Sequence, residues 1–137
     1  MRQTERCTKK RILAVDDSAI VLNRIKDILK NDYEVIPVNS GVRALKYLRE
    51  ERPDLILLDI RMVQQDGIET LREIRAMEEC KDIPVIMLTG VENRNSVLES
   101  SRLGISDYIL KPFSSADLPK RIQRVFEQEE KENKGLQ

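Results

Sequence analysis

Short apolar runs alternate five times with stretches whose apolar residues recur at helical spacing. The run Ile12-Leu13-Ala14-Val15 predicts a first strand over about Arg11–Val15, followed by a helix carrying Val21, Ile25, Ile28 and Leu29 on one face. A second strand is predicted over about Glu34–Val38. The next helix starts after Ser40, a residue type that caps helix N-termini, and is expected to bury Val42, Leu45 and Leu48. Pro53 ends that unit and Asp54–Asp59 reads as the third strand. Ile68, Leu71 and Ile74 mark the third helix, and Pro84 opens a fourth strand over about Val85–Thr89. A fourth helix is predicted around Ser96–Leu103, closed by Gly104 as the residue just past its end. The fifth strand covers about Asp107–Leu110, and Leu118, Ile122, Val125 and Phe126 stand at helical spacing behind it. Pro119 falls within that last pattern. It is tolerated if it lies in the first turn, with Asp117 or Leu118 near the cap.

Strand and helix in alternation, joined by short connections, predict an α/β fold: a doubly wound parallel sheet with helices on both faces. Strands one, three and four are apolar throughout, as expected of strands covered on both sides. The strand order 2-1-3-4-5 is the precedent for a fold of this kind, with ligands bound outside the carboxyl ends of the strands. Residues just past four strand ends are chemically conspicuous: Asp16 and Asp17, Asp59, Thr89 and Lys111. In a parallel sheet they converge on one site.

The length of 137 residues fits one domain, and the balance of 24 basic against 24 acidic residues gives no field that would draw nucleic acid. The polar N-terminus is not a secretory signal, and no apolar stretch is long enough to span a bilayer, so a cytoplasmic protein without membrane association is expected. Cys7 and Cys80 form no CxxC motif and are expected to be surface or half-buried thiols in a reducing compartment. The chain has no histidine, which excludes a Ser/His/Asp triad, a zinc site built on imidazole, and a phosphohistidine of its own.

Three carboxylates brought together must share protons or bind a cation. All-oxygen ligation suits Mg²⁺, which keeps several waters and is often completed by phosphate. A lysine and a threonine hydroxyl opposite would hold phosphate oxygens, and a carboxylate can attack phosphorus to give an aspartyl phosphate. The chemistry suggested is metal-dependent phosphorylation of Asp59.

These segments resemble the response-regulator receiver domain of two-component signalling, a CheY-like family with the flavodoxin-like (βα)5 fold. The resemblance rests on Leu13-Ala-Val-Asp-Asp-Ser18, Leu57-Leu-Asp59, Asp66-Gly67, Met87-Leu-Thr-Gly90 and Leu110-Lys-Pro-Phe113, in order and at family spacing from about Lys10 to Phe126. It implies that Asp59 accepts a phosphoryl group from a sensor histidine kinase or histidine phosphotransfer protein. It implies that Asp17 binds Mg²⁺ (or Mn²⁺) directly, Asp16 mainly through water, and that Asp59 and the backbone carbonyl of Arg61 complete the protein ligands. Thr89 and Lys111 would engage the phosphoryl oxygens. Gly90 would leave access to the phosphate, and Lys111-Pro112 would form a cis peptide. Tyr108 matches the aromatic switch position, although a strand-five aromatic reads equally well as core. The surface of helix four, strand five and helix five would then change and select a downstream output domain or protein, or a second copy of the chain. Arg102, Lys120, Arg121 and Arg124 against Asp107, Asp117 and Glu127 would supply weak ion pairs there. The domain would be a phosphoacceptor that assists its own phosphorylation and dephosphorylation rather than a conventional enzyme, and would not bind nucleic acid directly.

The chain departs from the family pattern after the acceptor. Val63 stands where proline is usual and Gln65 replaces an apolar residue. Arg61 and Val91, at positions that in the family bear on hydrolysis, offer no group to orient an attacking water, so a long-lived phosphorylated form is expected. Residues 1–9 are expected to be a disordered tail, 10–127 the receiver domain, and 128–137 a charged helical extension or linker, which leaves open whether the domain stands alone. Other function classes fit less well. A haloacid-dehalogenase-type phosphatase would need Asp-x-Asp-x-Thr, and a flavin binder would find its phosphate repelled by Asp16 and Asp17. A degenerate receiver serving only as an interaction module remains the alternative.

Overall fold

The computed structural model describes residues 9–62, 66–90 and 94–135. The strands are β1 (Lys10–Val15), β2 (Tyr33–Val38), β3 (Leu55–Asp59), β4 (Val85–Thr89) and β5 (Asp107–Leu110). The helices are α1 (Ala19–Leu29), α2 (Gly41–Glu50), α3 (Gly67–Ala76), α4 (Arg94–Leu103) and α5 (Asp117–Gly135), so that each strand leads into a helix. All strand pairings are parallel, in the order β2-β1-β3-β4-β5. This is the doubly wound fold that the alternation of elements predicts.

The uninterrupted apolar runs are explained by the two faces of the sheet. Successive side chains of a strand point to opposite sides. Ile12 and Ala14 of β1 therefore pack with α1 and α5, while Leu13 and Val15 pack with α2 and α3. Leu55 and Leu57 of β3 take the first face, and Ile56 and Leu58 the second. All five residues of β3 and of β4 are buried. Burying a side chain of this size contributes about 1.5–3 kcal/mol relative to leaving it in water.

Helix ends follow local chemistry. Ser18 caps α1 by accepting from the Val21 N–H, Ser40 caps α2 through Arg43, and Asp66 caps α3 through Glu69. Gly104, at φ 101°, takes the left-handed conformation past α4 and donates its N–H to the Ser100 and Ser101 carbonyls. Pro119 lies in the first turn of α5. Asp117 and Leu118 lie next to the cap, which is Ser114: its hydroxyl accepts from the Asp117 N–H at 2.9 Å and its carbonyl from the Leu118 N–H at 3.3 Å.

Two expectations of burial are corrected. Val42 is 59% exposed, and α2 buries Gly41, Ala44, Leu45 and Leu48 instead. The cap at Ser40 sets the helix phase, and Val42 falls one residue, about 100° of rotation, off that face. Cys80 is buried against the α2 side of the sheet, with its thiol 3.9 Å from the Leu48 carbonyl. Burial pushes the thiol pKa up, which keeps it in the unreactive thiol form. Cys7 lies outside the described residues.

Arg75, in the last turn of α3, ties two connections together. Its guanidinium donates to the carbonyls of Lys81 (3.0 Å), Ile83 (2.9 Å) and Cys80 (3.3 Å), and through two other nitrogens to the Gly104 carbonyl (3.0 and 2.8 Å). The loop entering β4 and the turn entering β5 are thereby held to one planar cation, a geometry only arginine offers. Burial lowers its pKa, though not to a range where the charge would be lost near neutrality. Replacing it, as in Arg75→Met, strands these carbonyls and is expected to lower unfolding free energy by about 2 kcal/mol in urea denaturation.

Candidate functional site

Parallel pairing brings the carboxyl ends of the strands to one edge of the sheet. Val15 and Leu58 are register partners across β1 and β3, so Asp16 and Asp59 emerge side by side. Both are almost fully buried, at 0% and 4% exposure, whereas Asp17 is exposed. Carboxylate oxygens of Asp16, Asp17 and Asp59 all lie within 4.8 Å of one another. Lys111 reaches across from the end of β5. Its ammonium lies 2.8 Å from Asp16 Oδ2 and 3.1 Å from Asp59 Oδ1.

Backbone donors add to this: one takes the other oxygen of Asp16, and one shares Asp59 Oδ1 with Lys111. The Ser18 N–H donates to Asp16 Oδ1 at 2.9 Å, and the Arg61 N–H to Asp59 Oδ1 at 3.3 Å. Thr89 is buried at the end of β4 beside these residues, and its hydroxyl donates to the Gly90 carbonyl at 3.1 Å. The Lys111-Pro112 peptide is cis. Asp16, Asp17, Asp59 and Lys111 thus form one cluster, with Thr89 at its rim. Tyr108 stands apart on β5 at 45% exposure, so the core reading of this aromatic is excluded. Arg61 is solvent-exposed. Val63, Gln65 and Val91 lie outside the described residues.

Gly67 supports the site in a way that its motif alone did not explain. Its N–H donates to the Ile60 carbonyl at 2.8 Å, which draws the start of α3 onto the end of β3. A Cβ at this position would stand 2.1 Å from the Asp59 carbonyl oxygen and 2.8 Å from Ile60 Cα. Only glycine permits the approach. Asp66-Gly is therefore both the cap of α3 and the contact that fixes the backbone behind Asp59. The proximity to the Asp59 carbonyl is the signal, and it exists only in three dimensions.

The electrostatics follow from burial. Desolvation raises the Asp59 carboxyl, and the charge of Asp16 raises it further. The Lys111 ammonium and the Arg61 N–H pull the other way, and the balance lies at about 6. Burial alone would lower the Lys111 pKa, but its hydrogen bond to Asp16 and the nearby Asp59 charge outweigh this and raise it. The two buried carboxylates of Asp16 and Asp59 with one ammonium leave an excess of negative charge. A donor set made only of oxygens, partly open to water at Asp17, fits a hard divalent cation such as Mg²⁺.

This balance has a pH signature. Because the folded pKa of Asp59 lies above its ordinary 3.8, the associated stabilisation is fully present below about pH 3.8 and is lost as pH rises through about 6. In the absence of metal, Asp59→Asn is expected to stabilise the fold at pH 8 by on the order of 1–2 kcal/mol after allowing for partial water access, with the difference closing near pH 4. Denaturation of both proteins in chelator across that range reads this directly. Adding Mg²⁺ at pH 8 should favour the wild type, since a ligand that binds only the folded state stabilises it.

Comparison with known proteins follows the same outline. A family model described as the response regulator receiver domain matches residues 12–123. The chain is 35% identical over 121 residues to chemotaxis protein CheY-3 of Vibrio cholerae, covering 85% of this chain and 92% of that protein. It is 42% identical over 125 residues to a protein-glutamate methylesterase/protein-glutamine glutaminase of Trichodesmium erythraeum, covering 88% of this chain and 35% of that larger protein. Among solved structures, the receiver domain of a Pseudomonas aeruginosa sensor histidine kinase, with a magnesium ion coordinated in its active-site cleft, aligns with a TM-score of 0.77 at 33% identity over 85% of this chain and 96% of that one. The family match begins at the first buried residue of β1 and runs through all five strand–helix units into α5: the chain belongs to the response regulator receiver domain family of two-component signal transduction.

Proposed function

We propose that this domain receives a phosphoryl group on Asp59 in a Mg²⁺-dependent reaction and passes the signal on through protein contacts. The observation that carries the reading is the buried Asp16–Lys111–Asp59 contact beside Asp17. Asp16, Asp17, Asp59 and the Arg61 carbonyl are the groups that would hold the metal, with Mn²⁺ able to replace Mg²⁺. The metal supplies charge neutralisation for a phosphoryl group in transfer. An Asp59 carboxylate oxygen attacks phosphorus as the P–N bond of a partner's phosphohistidine breaks, and the electron pair leaves with the imidazole nitrogen. The 137 residues contain no histidine, so a donor phosphohistidine would belong to a kinase or phosphotransfer domain outside them.

Lys111 would hold a phosphoryl oxygen, and the Thr89 hydroxyl, at the end of β4, would turn toward another. A phosphoryl group adds about −1.5 to −2 charge at neutral pH, a contact available to Thr89 and Lys111 in only one arrangement. Tyr108 lies two residues before Leu110 on β5, and both are exposed, as is Leu98 of α4; these are the apolar side chains that the switch would alter. Arg121 of α5 borders it, paired with Asp107 at 3.2 Å and Asp117 at 3.3 Å. This face is the one proposed for the output partner or a second copy. Residues 10–127 would form the receiver and 128–137 the beginning of a connection, although α5 runs unbroken to Gly135. A cytoplasmic setting fits this role; among the described residues, no helix is long and apolar enough to cross a membrane.

Incubation with acetyl phosphate and Mg²⁺ should add one phosphoryl group by intact mass to the wild type, and none to Asp59→Asn or to a metal-free control. An unmodified wild type would favour a binding-only module. Because neither Arg61 nor Val91 carries an acceptor or base to take a proton from an attacking water, the adduct should persist in Mg²⁺ well after acetyl phosphate is removed by desalting. Its loss during that step would show that water is activated by another group.

A further inference from the structure

Lys111 works from a turn that leaves the sheet just where the strand ladder ends. Its N–H donates to the Thr89 carbonyl at 2.7 Å, the last backbone tie before the chain turns toward α5. Two residues on, the Phe113 ring is buried in the α1–α5 face of the core. The Phe113 carbonyl accepts a 2.7 Å hydrogen bond from Arg24 Nη2, across 89 residues of sequence. The same guanidinium lies over the Phe113 ring, 5.5 Å from its centroid. One planar cation therefore grips both the backbone and the ring of this residue, a pair of contacts that a point charge on a flexible stem does not reproduce.

Arg24 is not a remote anchor. It stands on α1, which begins directly after the acidic pair, and that junction is fixed by the Ser18 cap and by the Ser18 N–H bond to Asp16. The carboxylates and Arg24 thus belong to one unit, and Arg24 links that unit to the turn bearing Lys111. Arg24 remains accessible to water, so its removal opens no cavity in the core.

We propose that Arg24 is a positioning residue for Lys111, holding the Lys111–Phe113 turn at a set distance from Asp16 and Asp59 while the ammonium changes partner. The inference rests on phosphoryl transfer to Asp59. Before transfer the ammonium is shared between Asp16 and Asp59; to stabilise the transferring group it must turn to a phosphoryl oxygen. A turn fixed from α1 confines that movement to the side chain and limits the ordering required at the moment of transfer.

The test compares the wild type with Arg24→Gln and Arg24→Lys, reading the initial rate of adduct formation from acetyl phosphate by intact mass and Mg²⁺ affinity by calorimetry. Arg24→Gln should slow adduct formation about 5-fold, the equivalent of one hydrogen bond of ordinary net strength. Its Mg²⁺ affinity should stay within about 2-fold, because the metal ligands are untouched. Arg24→Lys, which keeps a charged donor but loses the planar stack, should fall between the two. An unchanged rate in Arg24→Gln, a parallel loss of rate and metal affinity, or an Arg24→Lys rate no better than that of Arg24→Gln would each overturn the proposal. Failure of the underlying reading looks different: the wild type itself would take no adduct, or Asp59→Asn would take one, and Arg24's role would fall with it.

Discussion

Two carboxylates that have lost their water, held together by one ammonium, set the terms for the rest of the molecule. Asp16 and Asp59 are buried side by side because β1 and β3 are neighbours in parallel register. Their repulsion is offset by Lys111, which arrives from the far edge of the sheet at 2.8 and 3.1 Å. Such a cluster persists only where the surrounding backbone over-determines it, since burying charge costs several kcal/mol before any pairing is counted. Three strand ends, two helix caps and the close approach of Gly67 to Asp59 all act on that point.

The residual negative charge gives the site its chemical direction. Asp59 sits at a pKa of about 6 because desolvation and Asp16 together outweigh Lys111. If the proposed function holds, a divalent cation would relieve that excess and a phosphoryl group would then restore negative charge beside Lys111. On the proposed reading, signalling is a redistribution of charge around one ammonium, transmitted because β4 and β5 end within the same cluster. Thr89 and Lys111 are joined by a backbone hydrogen bond, so a change at one strand end is felt at the other.

The scaffold keeps this charged edge stable by concentrating apolar burial behind it. Strands β3 and β4 are buried along their whole length, whereas β5 alternates and exposes Tyr108 and Leu110. The interior strands carry Asp16 and Asp59, and the edge strand β5 meets solvent. Arg75 holds the turns entering β4 and β5 at the opposite end from the acidic site. The Arg24–Phe113 contact holds the turn that leaves β5, on the side of the acidic site.

The order of elements, the parallel sheet and the identity of the acidic cluster were legible in the sequence. Continuous apolar runs and period-3.6 patterning report local geometry, and a parallel sheet collects its strand ends automatically. The five family motifs then identified which strand ends matter. What the chain alone left undecided was set by phase and by distance. Val42 is exposed because the cap at Ser40 rotates α2 away from it, and Cys80 is buried because its loop folds under α2. Tyr108 could be read as a switch residue or as core until its exposure on the edge strand β5 excluded the core reading. The pKa of Asp59, the need for glycine at 67, and the grips of Arg24 and Arg75 depend on atoms brought together from distant parts of the chain. Their energies vary with separation over a few ångströms, and local periodicity carries no information about such distances.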